Sequence, residues 1–168
     1  KTLLALYTLM LWGSQRTLII CHNSVTQTWA DEIDLHLGWD YVILKGIAAA
    51  RKAKLAADHQ LYIINYEGLR VLWAKKVGNK YKPNIMSMNE FGFDGLICDE
   101  SHKLKQNSTL VYRITYEISR RVHNVITMTG TPLTKDEKDL WAEMSVMDLG
   151  ESLGHNYYGF VRKYFKQG

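Results

Sequence analysis

The sequence predicts an α/β fold in which a mostly parallel sheet lies between two layers of helices. Three observations carry that reading. Five short apolar runs, Thr17–Cys21, Tyr41–Leu44, Leu61–Asn65, Gly95–Asp99 and Asn124–Met128, each have the length of one strand. None alternates polar with apolar residues, so each suits a strand buried on both faces. Helical patterns separate the runs, and strands alternating with helices wind into a parallel sheet with right-handed crossovers.

In chain order, Thr2 to Trp12 is apolar and reads as a helix ahead of the first strand. Ser24, with Gln27 three residues on, has the pattern of a capping box opening a helix to about Leu37. The Ala- and Lys-rich stretch from Ala48 to Ala57 is a strong helix former. Glu67 to Val77 and Leu110 to Val122 read as two more helices. Thr134, with Glu137, opens a last one, whose Leu140, Trp141, Met144 and Met147 form an apolar stripe. Gly78 to Gly95, with its Asn, Gly, Pro and Lys, reads as one long irregular insertion on the surface.

At 168 residues, 46% hydrophobic and 23% charged, the chain has room for one domain with a real core. That excludes a disordered tail, a collagen-like rod and a disulfide miniprotein. No apolar run approaches the roughly 20 residues of a membrane helix. Cys21 and Cys98 sit within apolar runs and read as buried free thiols, so an intracellular, reducing setting is expected. Residues 1–84 carry 11 Lys and Arg against 6 Asp and Glu, a mildly basic half that permits contact with nucleic acid without arguing for it.

Open α/β sheets bind ligands at the carboxyl ends of their strands, so the polar residues just after each run matter most. They are His22-Asn23-Ser24, Asn65-Tyr66, Asp99-Glu100-Ser101-His102 and Thr129-Gly130-Thr131-Pro132. The adjacent acids Asp99 and Glu100 suit nucleotide hydrolysis, the first as a Mg²⁺ ligand and the second to deprotonate a water. A strand ending in an acidic turn is the competing structural reading. Lys1-Thr2, followed by a helix, matches the last two residues of G-x-x-x-x-G-K-[ST], where Lys reaches phosphate and the hydroxyl binds Mg²⁺. As a dipeptide alone it carries little.

Taken in order, these segments resemble the first motor lobe of superfamily-two helicases, and more narrowly the Swi/Snf-type branch of DNA translocases. Asp99-Glu100-Ser101-His102-Lys103-Leu104-Lys105, followed by Ser108, is similar to that branch's acid box. Met128-Thr129-Gly130-Thr131-Pro132, with Leu140-Trp141 soon after, is similar to its third motif. Ser24 and Trp29 after an Ile-Ile-Cys strand look like its motif Ia, and Leu153-Gly154, Phe160 and Tyr164-Phe165 like the aromatic close of the lobe. His22, Gln106 and Lys135 depart from residues usual in the family, at positions concerned with DNA contact and lobe coupling.

The resemblance implies a RecA-like lobe over residues 1–168, incomplete at its start and lacking the second RecA-like lobe of its parent chain. It implies ATP and Mg²⁺ as cofactors, with Lys1 and Thr2 on the triphosphate, Thr2 and Asp99 on the metal, and Glu100 as general base. His102, Thr129, Gly130 and Thr131 would couple nucleotide state to movement. Ser24, Asn65 and Tyr66 would approach one strand of double-stranded DNA. The implied activity is DNA-dependent ATP hydrolysis by the intact protein, with the fragment alone near background. The rival readings are an unwinding helicase acting on DNA or RNA, and a non-catalytic docking fragment. The five tryptophans are expected in packing roles, and Arg51, Lys52 and Lys54 on a solvated helix face.

Overall fold

A computed structural model describes residues 1–130 and 136–165 of the chain. Five parallel strands, β1 (Thr17–Cys21), β2 (Tyr41–Ile43), β3 (Leu61–Asn65), β6 (Gly95–Asp99) and β7 (Asn124–Met128), form one sheet in the order β2-β3-β1-β6-β7. Between β3 and β6 lies an antiparallel hairpin of β4 (Ala74–Val77) and β5 (Lys80–Pro83). The eight helices among the described residues are α1 (Thr2–Leu11), α2 (Thr26–His36), α3 (Ala48–Ala56), α4 (Tyr66–Trp73), α5 (Ile85–Asn89), α6 (Leu110–Ser119), α7 (Leu140–Asp148) and α8 (Tyr157–Tyr164). None is long and apolar enough to cross a membrane.

Side chains alternate across a strand, so each strand supplies two cores. Ile19, Cys21, Ile63 and Ile97 point to one face, where Leu6 and Leu9 of α1 and Trp29 and Ile33 of α2 cover them. Leu18, Ile20, Ile64 and Cys98 point to the other, under Leu55, Leu69, Ile114 and Val146 from α3, α4, α6 and α7. Every residue of β1, the central strand, is buried. This accounts for the runs lacking polar alternation: with apolar layers on both sides, either parity needs an apolar residue. Strands β1 and β3 run in register from Thr17↔Leu61 to Cys21↔Asn65, so their carboxyl ends finish side by side.

Four expectations change. The helix predicted from Glu67 to Val77 ends at Trp73, because Ala74–Val77 pairs with Lys80–Pro83. The stretch from Gly78 to Gly95 is therefore ordered, holding β5 and α5. Ser24 does not cap α2: Ser24 lies in a 3-10 turn over Asn23–Val25, and α2 starts at Thr26 with no side-chain cap. Arg51 is buried rather than solvated, its guanidinium donating to the carbonyls of Leu44 and Gly46. Thr134, expected to open the last helix, lies outside the described residues. There Asp136 accepts from the Lys138 N–H and starts a short turn into α7.

Candidate nucleotide site

The site grows from the end of β6. Asp99 is its last residue, and Glu100 turns the chain sharply at φ 54°, ψ 51°, a left-handed conformation that costs a non-glycine residue on the order of 1 kcal/mol. A 3-10 turn over Ser101–Leu104 follows at once, with the Lys103 N–H donating to the Glu100 carbonyl at 3.0 Å. The chain tolerates the strained residue because contacts from four other places, α2, α4, α7 and the end of β7, surround this turn.

Asp99 is held from several sides. Its Oδ2 accepts from the Trp29 indole N–H of α2 at 3.0 Å, and its Oδ1 from the Glu100 N–H at 3.0 Å. Its carbonyl accepts from the Tyr66 hydroxyl of α4 at 2.8 Å. A carboxylate with one donor on each oxygen is fixed in orientation yet keeps lone pairs for a cation. Glu100 stands between two partners: Oε1 lies 3.8 Å from Lys1 Nζ, and Oε2 lies 3.2 Å from His102 Nδ1. His102 Nδ1 is in turn 3.5 Å from the Thr129 hydroxyl at the end of β7. A side chain at Gly130 would begin 3.6 Å from Lys1 Nζ, so the third motif passes close to the same ammonium. Residues from positions 1, 100, 102, 129 and 130 thus meet at one edge of the sheet. Thr2 opens α1 beside Lys1, and Thr131 lies outside the described residues.

A cleft of about 330 Å³ opens here, bounded by Lys1, Leu4, Ser101, Thr129, Leu140 and Glu143. The edge offers carboxylates, hydroxyls and one ammonium. Carboxylate and hydroxyl oxygens suit Mg²⁺, which is commonly held by one or two carboxylates plus substrate phosphates. The described residues contain no cluster of three or more His, Cys, Asp or Glu able to cage a metal without such help.

Ser24, Asn65 and Tyr66 lie along the neighbouring strand ends but differ in their freedom. Ser24 is exposed, its hydroxyl 2.8 Å from His22 Nδ1. Asn65 caps α4, its Oδ1 accepting from the Gly68 N–H at 3.2 Å. Tyr66, expected against DNA, turns inward instead: it is 4% exposed, and its hydroxyl is engaged with Asp99. Burial raises its pKa well above the ordinary tyrosine range. The thiols of Cys21 and Cys98 are free and buried, and burial pushes Cys21 up to about 12, so neither is a nucleophile.

Two side-chain contacts at the site went unforeseen in the sequence. Trp29 is in the core, as expected, but its indole also orients Asp99. Glu143 is 5% exposed, accepts from the Ser101 hydroxyl at 2.7 Å, and has no hydrogen bond to its Oε1 among the described residues. Its carboxyl pKa is raised by burial, an effect that the Ser101 hydroxyl and nearby His102 partly offset. An acid between Leu140, Trp141 and Met144 on an otherwise apolar stripe was the available signal. Nothing in the spacing of Trp29 pointed seventy residues ahead.

The chain is similar to known proteins over most of its length. Residues 3–153 match the model of the SNF2-related domain. The putative protein p41 of Acyrthosiphon pisum secondary endosymbiont phage 1 is 30% identical over 99% of this chain and 36% of its own length. Human DNA repair and recombination protein RAD54B is 25% identical over 81% of this chain and 14% of its own. The Sulfolobus solfataricus SWI2/SNF2 ATPase core, solved in complex with dsDNA, shares the fold with a TM-score of 0.70 at 20% identity, over 89% of this chain and 28% of that one. The chain spans about a third or less of these proteins. It belongs, on the match across most of its length, to the SNF2-related domain family.

Proposed function

We propose that this chain is the ATP-binding lobe of a DNA-dependent ATPase that moves along double-stranded DNA. The observation that carries the reading is the meeting of Lys1, Glu100, His102 and Thr129 at one edge of the sheet, beside an Asp99 fixed by two N–H donors. Lys1 Nζ would bind the β- and γ-phosphates. Asp99 and Thr2 would hold Mg²⁺, which when bound neutralises charge developing on the phosphoryl oxygens. Glu100 is the general base: a water held at its carboxylate gives up its proton there as it attacks phosphorus in line with the leaving oxygen. The His102 contact at 3.2 Å holds that carboxylate in place and ties it to Thr129, so a shift of the third motif moves the base. A second lobe of the same parent chain would close over the cleft and supply an arginine.

Ser24 and Asn65 lie at the carboxyl ends of β1 and β3, and phosphate contact there would be blind to sequence and sensitive to salt. The test is the ATPase rate of the intact protein with and without linear duplex DNA at two salt concentrations. Stimulation by duplex that weakens at the higher salt supports the reading. Stimulation only by single strands or RNA replaces it with an unwinding helicase, and none by any nucleic acid refutes a DNA-dependent motor.

A further inference from the structure

Away from the nucleotide edge, the β4–β5 hairpin gathers positive charge that no acid pairs with among the described residues. The segment from Lys75 to Lys82 holds four lysines and no Asp or Glu. All four, Lys75, Lys76, Lys80 and Lys82, are exposed, and none forms an ion pair among the described residues. The register sharpens this. Lys75 sits directly opposite Lys82, and Val77 opposite Lys80, which puts three ammonium groups on one face of the ribbon. Directly opposed like charges destabilise a strand pair, so the arrangement works against the fold of the hairpin.

The ribbon is nevertheless held firmly. Gly78 at φ +59° starts the two-residue turn, as a type II′ hairpin requires. The root is closed by the Asn84 N–H donating to the Trp73 carbonyl at 2.8 Å. Trp73 is buried against Phe91, and β5 lies along α6. An isolated two-stranded ribbon is marginal in water, and this one draws its order from that root. It leaves α4 at the end opposite Asn65, roughly 12 Å along an eight-residue helix. The lysines therefore form a patch separate from the carboxyl edge of the sheet.

We propose that the β4–β5 hairpin is a second DNA contact, which lays Lys75, Lys80 and Lys82 against the phosphates of double-stranded DNA outside the Ser24–Asn65 edge. Two features select this partner over an acidic protein surface. Lysine is depleted in protein interfaces, whose centres are aromatic and apolar. A ladder of ammonium groups has no bidentate geometry for single carboxylates and suits a continuous line of phosphates. The proposal rests on the DNA-dependent reading above, and it adds affinity and register on the duplex rather than chemistry.

The experiment is duplex binding by the intact protein, followed by anisotropy of a fluorescent DNA over a series of salt concentrations. The variant is K75Q/K80Q/K82Q, with Lys52→Gln of α3, an exposed lysine outside the hairpin, as the control. Each phosphate contact contributes about 0.9 to the slope of log affinity against log salt, so the triple variant should lower that slope by about 2–3 and weaken low-salt binding at least about tenfold. Lys52→Gln should leave both unchanged. Circular dichroism should show the triple variant folded, since it removes the opposed Lys75–Lys82 pair. A folded triple variant with the slope and affinity of the wild type, while the wild type binds duplex, overturns the hairpin contact alone. A wild type that binds no duplex refutes the DNA-dependent reading, and this proposal with it.

Discussion

The strand ends at Asp99 and at Asn65 are neighbours separated only by β1, yet they are built by different means. The acid turn is set by long-range partners: Trp29 from α2, Tyr66 from α4, Glu143 from α7 and Thr129 from β7 all reach it through side chains. The Ser24–Asn65 edge is set locally, by His22 two residues away and by a helix cap three residues away. Long-range support holds a carboxylate within the narrow tolerance that proton transfer demands, and it withstands a left-handed residue at Glu100. Local support leaves an edge open to a large partner whose backbone is met at no fixed base. On the proposed function, the first region serves turnover and the second attachment to DNA.

Breaking the acid turn should have the largest effect. Glu100→Gln in the intact protein is expected to lower turnover by about 10²–10⁴, the usual contribution of a positioned base, while nucleotide still binds through Lys1. Single-turnover ATP hydrolysis beside nucleotide binding measures both, and unchanged turnover would remove Glu100 from the mechanism.

A smaller effect probes the support behind that turn. Glu143 is buried with a raised carboxyl pKa, so the folded state holds its proton to higher pH than the unfolded state does. At low pH the carboxyl is neutral in both states and its burial carries no ionisation penalty. As pH rises above the ordinary carboxylate range, the unfolded chain ionises first and stability falls. Glu143→Gln keeps an acceptor for Ser101 and removes the charge. It should raise the melting temperature at neutral pH by about 2–4 °C for each kcal/mol relieved, and flatten its decline with pH. An unchanged melting curve at neutral and acidic pH would show that the buried carboxyl carries no such penalty.

The difference between the two regions also explains what was legible in the sequence. Four of the five predicted strands carry the observed bounds, because a strand buried on both faces writes itself as an unbroken apolar run. The acid turn was legible as a candidate site, Asp99-Glu100 at the end of such a run, beside the competing reading of a plain acidic strand end. Its supports were not, because a hydrogen bond from Trp29 to Asp99 spans seventy positions and leaves no periodic trace. Tyr66 shows the same limit from the other side. Its place after a strand suggested a surface role, and only its packing under Asp99 reveals that it faces inward. The hairpin was missed for a local reason: Ala74-Lys75-Lys76-Val77 continues the helical pattern of α4, and its strand state is decided by pairing across Gly78-Asn79 with β5, which itself lies along α6. Gly-Asn between two short runs was the available hairpin signal.

The division of labour between the two edges is tested most directly by titrating the ATPase of the intact protein with duplex DNA for Trp29→Phe and Ser24→Ala side by side. Phe keeps the packing of Trp29 and removes the N–H that orients Asp99. Trp29→Phe should lower the maximal rate with the half-stimulating DNA concentration unchanged, and Ser24→Ala should raise that concentration with the maximal rate unchanged. Both substitutions moving the same parameter, or neither moving any, would contradict the account.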